Sequence, residues 1–274
     1  MKTIKMFFSS MVNRMGYDII SESTRSALYD RVRFENFANL ARAYERLLSE
    51  SGKVFTSSDA RLKLLARLQG TPPSEAYYIV DALEKSKGVA GDVCEFGIAQ
   101  GETSALIANE IMGGDKILHL LDSFEGLSKP SEKDQLKDDI FSLGSIEAYA
   151  GTMSCPEDMV RSRLESISFP SQKLVIHKGF IDQVLKTDRN LPRAVSFAYI
   201  DFDLYEPIKV TLNFLHSVTS AGSIIIVDDY NYFSTGVASA VNEFLSENNS
   251  GALIYDLSIP STVFGHFAVL KRNF

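Results

Sequence analysis

The spacing of apolar positions along the chain changes near Gly91. Before it, Phe37, Leu40, Ala41, Tyr44, Leu47 and Leu48 recur at helical intervals, so Glu22–Glu50 reads as one long amphipathic helix ended by Gly52. Ser58 stands where it can cap a shorter helix reaching Leu68, and Pro72 falls in the first turn of a third helix over 76–87, where proline is tolerated. Beyond Gly91, short apolar runs alternate with helical segments, the signature of a parallel sheet with crossover helices. Strands are expected at 92–96, 117–121, 173–177, 195–200 and 223–227, and helices at 103–112, 156–166, 181–186, 207–218 and 237–247. Two final runs, 252–257 and 264–271, follow one another with no helix between them and predict an antiparallel hairpin at one sheet edge. The fold class is therefore α/β: a Rossmann-like doubly wound sheet, mostly parallel, with a C-terminal hairpin and N-terminal helices. We divide it into a helical extension over 1–87 and a domain over 88–274.

One connection breaks the rhythm. The stretch 123–155 is long and polar, and it leaves the carboxyl end of the second strand, where open α/β sheets bind ligands, so a lid is expected there. Hydrophobic residues are 45% and charged residues 23% of the chain, which places it among globular proteins. A net charge of -7 supplies no basic field for a nucleic acid and directs attention to small-molecule or glycan partners. The two cysteines, Cys94 and Cys155, lack metal-site spacing and fit a reduced, cytoplasmic compartment. No transmembrane segment is expected, although Met6, Phe7, Phe8, Met11 and Val12 with Lys5 and Arg14 would suit a weak membrane-surface contact.

Three clusters carry candidate chemistry. Glu95-Phe96-Gly97-Ile98-Ala99-Gln100-Gly101-Glu102-Thr103-Ser104 joins the first strand to a helix, with glycines for a tight turn and free amides at the helix start. A dinucleotide fingerprint wants glycine where Ala99 stands, so a nucleoside without phosphates fits better, and Glu95 would face its ammonium group. Asp122, followed by Ser123, closes the second strand at the distance where a carboxylate reaches a ribose diol. Asp201 and Asp203 end the fourth strand, and Asp228 and Asp229 end the fifth; carboxylates gathered this way repel one another unless a hard cation such as magnesium sits among them. Adjacent strand residues face opposite ways, so Asp228 and Asp229 can share one ion only if the strand breaks between them. His177 ends the third strand as a second-choice proton acceptor, whereas His119, His216 and His266 sit in packing patterns.

Taken together, Gly91-Asp92-Val93-Cys94-Glu95, Asp122-Ser123-Phe124-Glu125-Gly126-Leu127, Asp201-Phe202-Asp203-Leu204-Tyr205-Glu206 and Val227-Asp228-Asp229-Tyr230 resemble the motifs of the macrocin O-methyltransferase family, from about Thr71 to the C-terminus. That resemblance implies transfer of a methyl group from S-adenosyl-L-methionine to a sugar or glycoside hydroxyl. By the same likeness Asp201, Asp228 and Asp229 would hold Mg2+, Asp122 would bind the ribose, and Gly179 and Phe180 would lie near the adenine. Asp201 or Asp203 is the expected proton acceptor, and the N-terminal helices are expected to serve substrate contacts or a homo-oligomer surface. Two other readings remain open at this point: a short-chain NAD(P)-dependent oxidoreductase, from the Tyr205-x-x-x-Lys209 spacing, and a nucleoside-binding module without turnover.

Overall fold

The computed structural model describes residues 21–50 and 58–274. The membrane-surface contact expected at Met6–Val12 and the stop at Gly52 lie outside them. Helix α1 spans Glu22–Glu50, α2 Asp59–Leu65 and α3 Pro73–Ser86. Ser58 caps α2 by accepting the Arg61 amide, and Pro73 opens α3 in its first turn, where the missing N–H is no loss. Strands β1 (Asp92–Phe96), β2 (Leu118–Asp122), β3 (Leu174–Lys178), β4 (Val195–Ile200) and β5 (Thr219–Val227) alternate with helices α4 (Glu102–Ile111), α5 (Glu157–Ser166), α6 (Ile181–Thr187), α7 (Tyr205–Val218) and α8 (Thr235–Asn248). The hairpin β6 (Tyr255–Ser258) and β7 (Ala268–Arg272) closes the chain.

The seven strands lie in the order β3-β2-β1-β4-β5-β7-β6, with β1 to β5 parallel and β7 antiparallel to both β5 and β6. This is the expected mostly parallel sheet with an antiparallel edge. Strand order reverses between β1 and β4, with successive strands added outward on one side and then on the other, which makes the crevice above their carboxyl ends the place for a ligand. Alternation along each strand then sorts two cores. Val93, Phe197, Tyr199 and Ile226 face α3 and α4, while Phe96, Ile200, Ile225 and Val227 face α7 and α8. Leu62, Leu65, Tyr77 and Ile79 belong to the first of these cores, so α2 and α3 share one apolar interior with the sheet.

Helix α1 touches α2 and α3 and buries Ala38 and Ala41. Leu40 and Leu47, expected on its apolar face, are 44% and 49% exposed. Helical spacing locates an apolar stripe but does not say how wide the neighbouring surface is. The region 123–155 carries only one short 3-10 turn, Ile146–Tyr149, and is packed down by Ile146 and Tyr149 against Leu204 and Phe233. Its middle is tied across two loops: the buried Asp134 carboxylate accepts the Tyr205 amide and the Ser131 amide at 2.8 Å each, and Gln135 N–H donates to Thr235. No helix among the described residues is long and apolar enough to cross a membrane.

Helix α2 is fastened to α4 by Arg61, whose guanidinium donates to both carboxylate oxygens of Glu110 at 2.8 and 2.5 Å, with both side chains about nine-tenths buried. Arg61→Met leaves the Glu110 charge without that partner, and loss of such a pair costs about 3 kcal/mol. A lower urea midpoint with an unchanged m-value is the expected outcome. A midpoint within error of the parent protein would show that Leu62 and Leu65 alone dock this helix.

Candidate active site

The hydrogen-bond ladders run one step past the strand tips. Gly97 N–H donates to Leu121 O, Asp201 N–H to Phe96 O, Asp228 N–H to Ile200 O and Gly179 N–H to Asp122 O, all at 2.7–3.0 Å. These bonds hold Gly97, Asp201, Asp228 and Gly179 in one row above the sheet. Gly97 cannot carry a side chain there, because a Cβ would sit 1.9 Å from the Asp201 carbonyl oxygen. Above the row opens a cavity of about 1000 Å³, at the top of the size range of small-molecule pockets, which is room for two ligands side by side.

Of the residues expected at a nucleoside, Gly97, Asp122, Ser123, Gly179 and Phe180 line this cavity. Glu95, Gly101, Thr103 and Ser104 do not; they lie behind the wall. Gly101 packs against Val160 of α5, Thr103 pairs with the Thr71 hydroxyl at 2.9 Å, and Glu95 is 1% exposed beneath the turn. Burial pushes the Glu95 carboxyl up to about 8, and the Ser104 hydroxyl beside it offsets only part of that rise. Ala99 is held at φ +44, a left-handed conformation that costs a residue with a Cβ about 1 kcal/mol relative to glycine. Asp122 accepts the Ile98 amide at 2.7 Å and the Phe124 amide at 2.5 Å, so it fixes both flanking turns while keeping a lone pair on each oxygen for a ligand. Burial raises its pKa against the pull of those amides.

The acidic cluster forms at the tips of β4 and β5, which are neighbours as expected. Asp201, Asp203 and Asp229 each bring one oxygen within 4.8 Å of the others, an oxygen-only donor set that suits a hard divalent cation. The chain does break at the end of β5: Asp229 adopts φ +53 and turns towards Asp201, and Asp203 adopts φ +62. Asp228 lines the same cavity but stands outside this triplet. Its carboxylate accepts the Tyr199 hydroxyl and the Asp229 amide, beside the buried Glu75 of α3. Burial, followed by repulsion from the neighbouring carboxylates, raises Asp201, Asp229 and Glu75 well above the usual carboxylate range. Burial also raises Asp203 and Asp228, and the Tyr199 hydrogen bond partly offsets it in the latter.

The histidine assignments need correction. His177 lies outside the cavity: its Nε2 meets His119 Nδ1 at 2.9 Å and its Nδ1 meets Asp188 at 2.6 Å, while His119 Nε2 reaches Asp92 at 3.3 Å. The two imidazoles form a buried polar strut across β2 and β3. His266, assigned to packing, instead lines the cavity. Glu75, Gln69 and Tyr232 also line it and escaped the sequence reading. For Glu75 the available signal was an acid flanked by apolar positions of α3. The Tyr205–Lys209 pair is likewise outside the cavity, bound to Glu243 at 2.6 and 3.0 Å, so the oxidoreductase reading loses its catalytic pair.

A doubly wound sheet with this strand order, a two-ligand cavity over the switch point and acids at the tips of β2, β4 and β5 defines a methyltransferase of the Rossmann-like class. Residues 79–264 match the macrocin O-methyltransferase (TylF) family, and the chain belongs to that family. It is an O-methyltransferase. The O-methyltransferase NovP has a similar structure, with 19% identity, a TM-score of 0.62, and 91% of this chain and 100% of that one covered. CalS11, a calicheamicin methyltransferase, matches at 20% identity and a TM-score of 0.58 over 84% of this chain and 91% of its own. Its apo structure, that of a TDP-rhamnose 3'-O-methyltransferase, matches at 16% and 0.53 over 94% and 97%. At such identities these likenesses show the fold. No curated protein sequence matches the chain.

The buried Glu95 generates a prediction with a definite sign. Its carboxyl keeps a proton in the folded state up to about pH 8, whereas the unfolded chain releases it near the ordinary value of 4.5, so its contribution to stability falls as pH rises between those values. Glu95→Gln removes that loss. Thermal melts of the variant should be flatter than the parent's from pH 5 to pH 8, with the variant the more stable at pH 8. Parallel profiles for the two proteins would place the Glu95 pKa near its unfolded value.

Proposed function

We propose that the protein transfers the methyl group of S-adenosyl-L-methionine to a hydroxyl of a sugar or glycoside, with help from a divalent cation, Mg2+ being the natural choice. The observation that carries this reading is the triplet of carboxylate oxygens from Asp201, Asp203 and Asp229 in the wall of a cavity that Asp122 also lines. In the family resemblance the ion's ligands are Asp201, Asp228 and Asp229. The triplet favours Asp203 over Asp228 as the third, since Asp228 is engaged by Tyr199. The chemistry of the set fits: three hard oxygens that burial and mutual repulsion incline to keep protons, which a cation would displace by neutralising the carboxylates and relieving their repulsion.

Gly97, Asp122, Ser123, Gly179 and Phe180 form the donor side of the cavity. Asp122 receives the ribose hydroxyls, and Gly179, at φ +141, keeps the wall next to Phe180 open for the adenine. Glu95, Gly101, Thr103 and Ser104 act from behind, setting the turn that these residues follow. Gln69, Gly70, Pro72 and Glu75 line the acceptor side, which gives the helical extension over 1–87 a part in substrate binding, with the region 123–155 contributing Leu127, Ile140 and Met153 as a lid over the domain 88–274. When bound, the donor offers an electrophilic methyl carbon on a sulfonium, and the cation lowers the pKa of the attacking hydroxyl. The residues align oxygen and carbon, and such pre-organisation is worth about 7 kcal/mol or more.

The test uses full-length protein with methyl-labelled donor and an extract rich in glycosides. S-adenosylhomocysteine should raise the melting temperature, and label should enter a glycoside fraction. EDTA should abolish transfer and added Mg2+ restore it. Asp229→Ala should cut kcat about 100-fold or more, the scale on which a metal's several kcal/mol of charge stabilisation acts. Full activity in EDTA would remove the cation from the mechanism, and stabilisation by NADH in place of S-adenosylhomocysteine would remove the donor.

A further inference from the structure

Helix α3 sends one acid into the cavity wall. Glu75, in its first turn, lines the cavity and is 1% exposed, the most deeply buried of the acids that do so. Among the described residues its partners are a hydroxyl and another acid, not a cation. Glu75 Oε1 lies 3.2 Å from the Tyr199 hydroxyl, and the Glu75 carboxyl is in hydrogen-bonding contact with Asp228. Burying a carboxyl group in such company costs free energy, and a satisfied network of this kind rigidifies its surroundings.

Both ends of this contact are held. Ser74 Oγ donates to Phe264 O at 2.7 Å, and Gly265 comes so near that a Cβ there would lie 2.6 Å from Glu75 Oε2, so the chain leading into β7 closes over the carboxyl. Tyr199 is fully buried in β4, its register set against Glu95 of β1 and Ile226 of β5, and the Thr71 hydroxyl stands 3.5 Å from its own. From Tyr199 the contacts run on to the acidic cluster. Its hydroxyl donates to Asp228 Oδ2, Asp228 Oδ1 accepts the Asp229 amide at 2.7 Å, and Asp229 belongs to the triplet. Asp229 stands at φ +53, and the bond from its amide to the Asp228 carboxylate holds that turn.

We propose that Glu75 is a positioning residue for the divalent cation: through the Tyr199 hydroxyl and the Asp228 carboxylate it fixes the turn that carries Asp229, so ion affinity depends on how the helical extension is docked. This rests on the divalent-cation reading above. Groups behind a metal's ligands keep those ligands in the geometry the ion needs, and losing one costs about 10- to 100-fold in affinity. Glu75 acts in this way from a helix, outside the strands whose tips carry the acids. Without it the Tyr199 hydroxyl loses a neighbour, and the Asp228 carboxylate loses one of the two side chains that orient it.

The test reads ion binding directly, by electron paramagnetic resonance of Mn2+ titrated into the full-length protein, and needs no acceptor. Glu75→Ala and Tyr199→Phe should each weaken Mn2+ binding about 10-fold or more, and the double variant should bind no more weakly than Tyr199→Phe alone. Glu75→Gln, which keeps the shape and a hydrogen-bonding end, should bind Mn2+ nearly as the parent does. S-adenosylhomocysteine should bind every variant with the parent's affinity; a role in packing alone would lower donor and ion binding together, and that result overturns the proposal. So does parental Mn2+ affinity in Glu75→Ala, or a pair of losses that add in the double variant. Glu75→Gln as weak as Glu75→Ala overturns it in favour of charge. If Glu75→Ala does not fold, Tyr199→Phe decides, and unchanged Mn2+ affinity there overturns the assignment. Asp229→Ala should lose the ion; Mn2+ binding undiminished in that variant, or absent from the parent, would sink the cation reading itself.

Discussion

Carboxylates crowded at the tips of two neighbouring strands set the terms for the rest of this molecule. Two unit charges 4.8 Å apart, as in the Asp201, Asp203 and Asp229 cluster, repel by about 3 kcal/mol at an effective dielectric of about 20. The fold accommodates this by letting protons remain on the cluster and by surrounding it with donors. Tyr199 and the Asp229 amide serve Asp228, and the Ser234 hydroxyl donates to the Asp203 backbone carbonyl at 2.8 Å, steadying the turn on which that carboxylate stands. Left-handed backbone at Asp203 and Asp229 is part of the same arrangement, since extended strands would have sent alternate carboxylates to opposite faces.

The scaffold beneath is a set of backbone bonds that outlast the strands by one residue. Because the row through Gly97, Asp201 and Asp228 is held by main-chain ladders, the positions of the acids depend little on the side chains around them. What lies over the row is held differently. Asp134 reaches from the long connection into the start of α7, and Gly236 is close enough that a Cβ would fall 1.8 Å from its Oδ1. The ceiling is pinned to the same two loops that carry the carboxylates.

Most of the fold was legible in the sequence because a parallel sheet writes its strands as buried apolar runs; β1 and β4 fall on the expected residues, and the other three parallel strands overlap theirs. The hairpin was legible from the missing helix before β7. The acids at strand ends were legible too, since position on a strand fixes where a side chain emerges. What the pattern could not reveal was rotation about that position: which three of four aspartates converge depends on two residues with positive φ. His266 and Glu75 were hidden for another reason. Each sits in an apolar neighbourhood along the chain, and only the packing of the C-terminal hairpin against α3 turns both towards the cavity. His177 erred the opposite way, since a strand-end histidine looks available until its neighbour on β2 is seen to be another histidine.

The outer tip of the long connection is a small unit wound on itself. The Asp139 carboxylate collects the amides of Leu143 and Gly144 and the Tyr149 hydroxyl, and around that knot Ile140, Phe141 and Leu143 are left bare. Tyr149 ties this knot down by packing edge-on against Phe233, and the anchoring at Asp134 lies upstream of it. Such a tip behaves as an interchangeable cartridge: its greasy residues can be rewritten, lengthened or trimmed without loosening the acids below, so a new preference in the molecule being modified can arise there while the reaction chemistry is inherited intact.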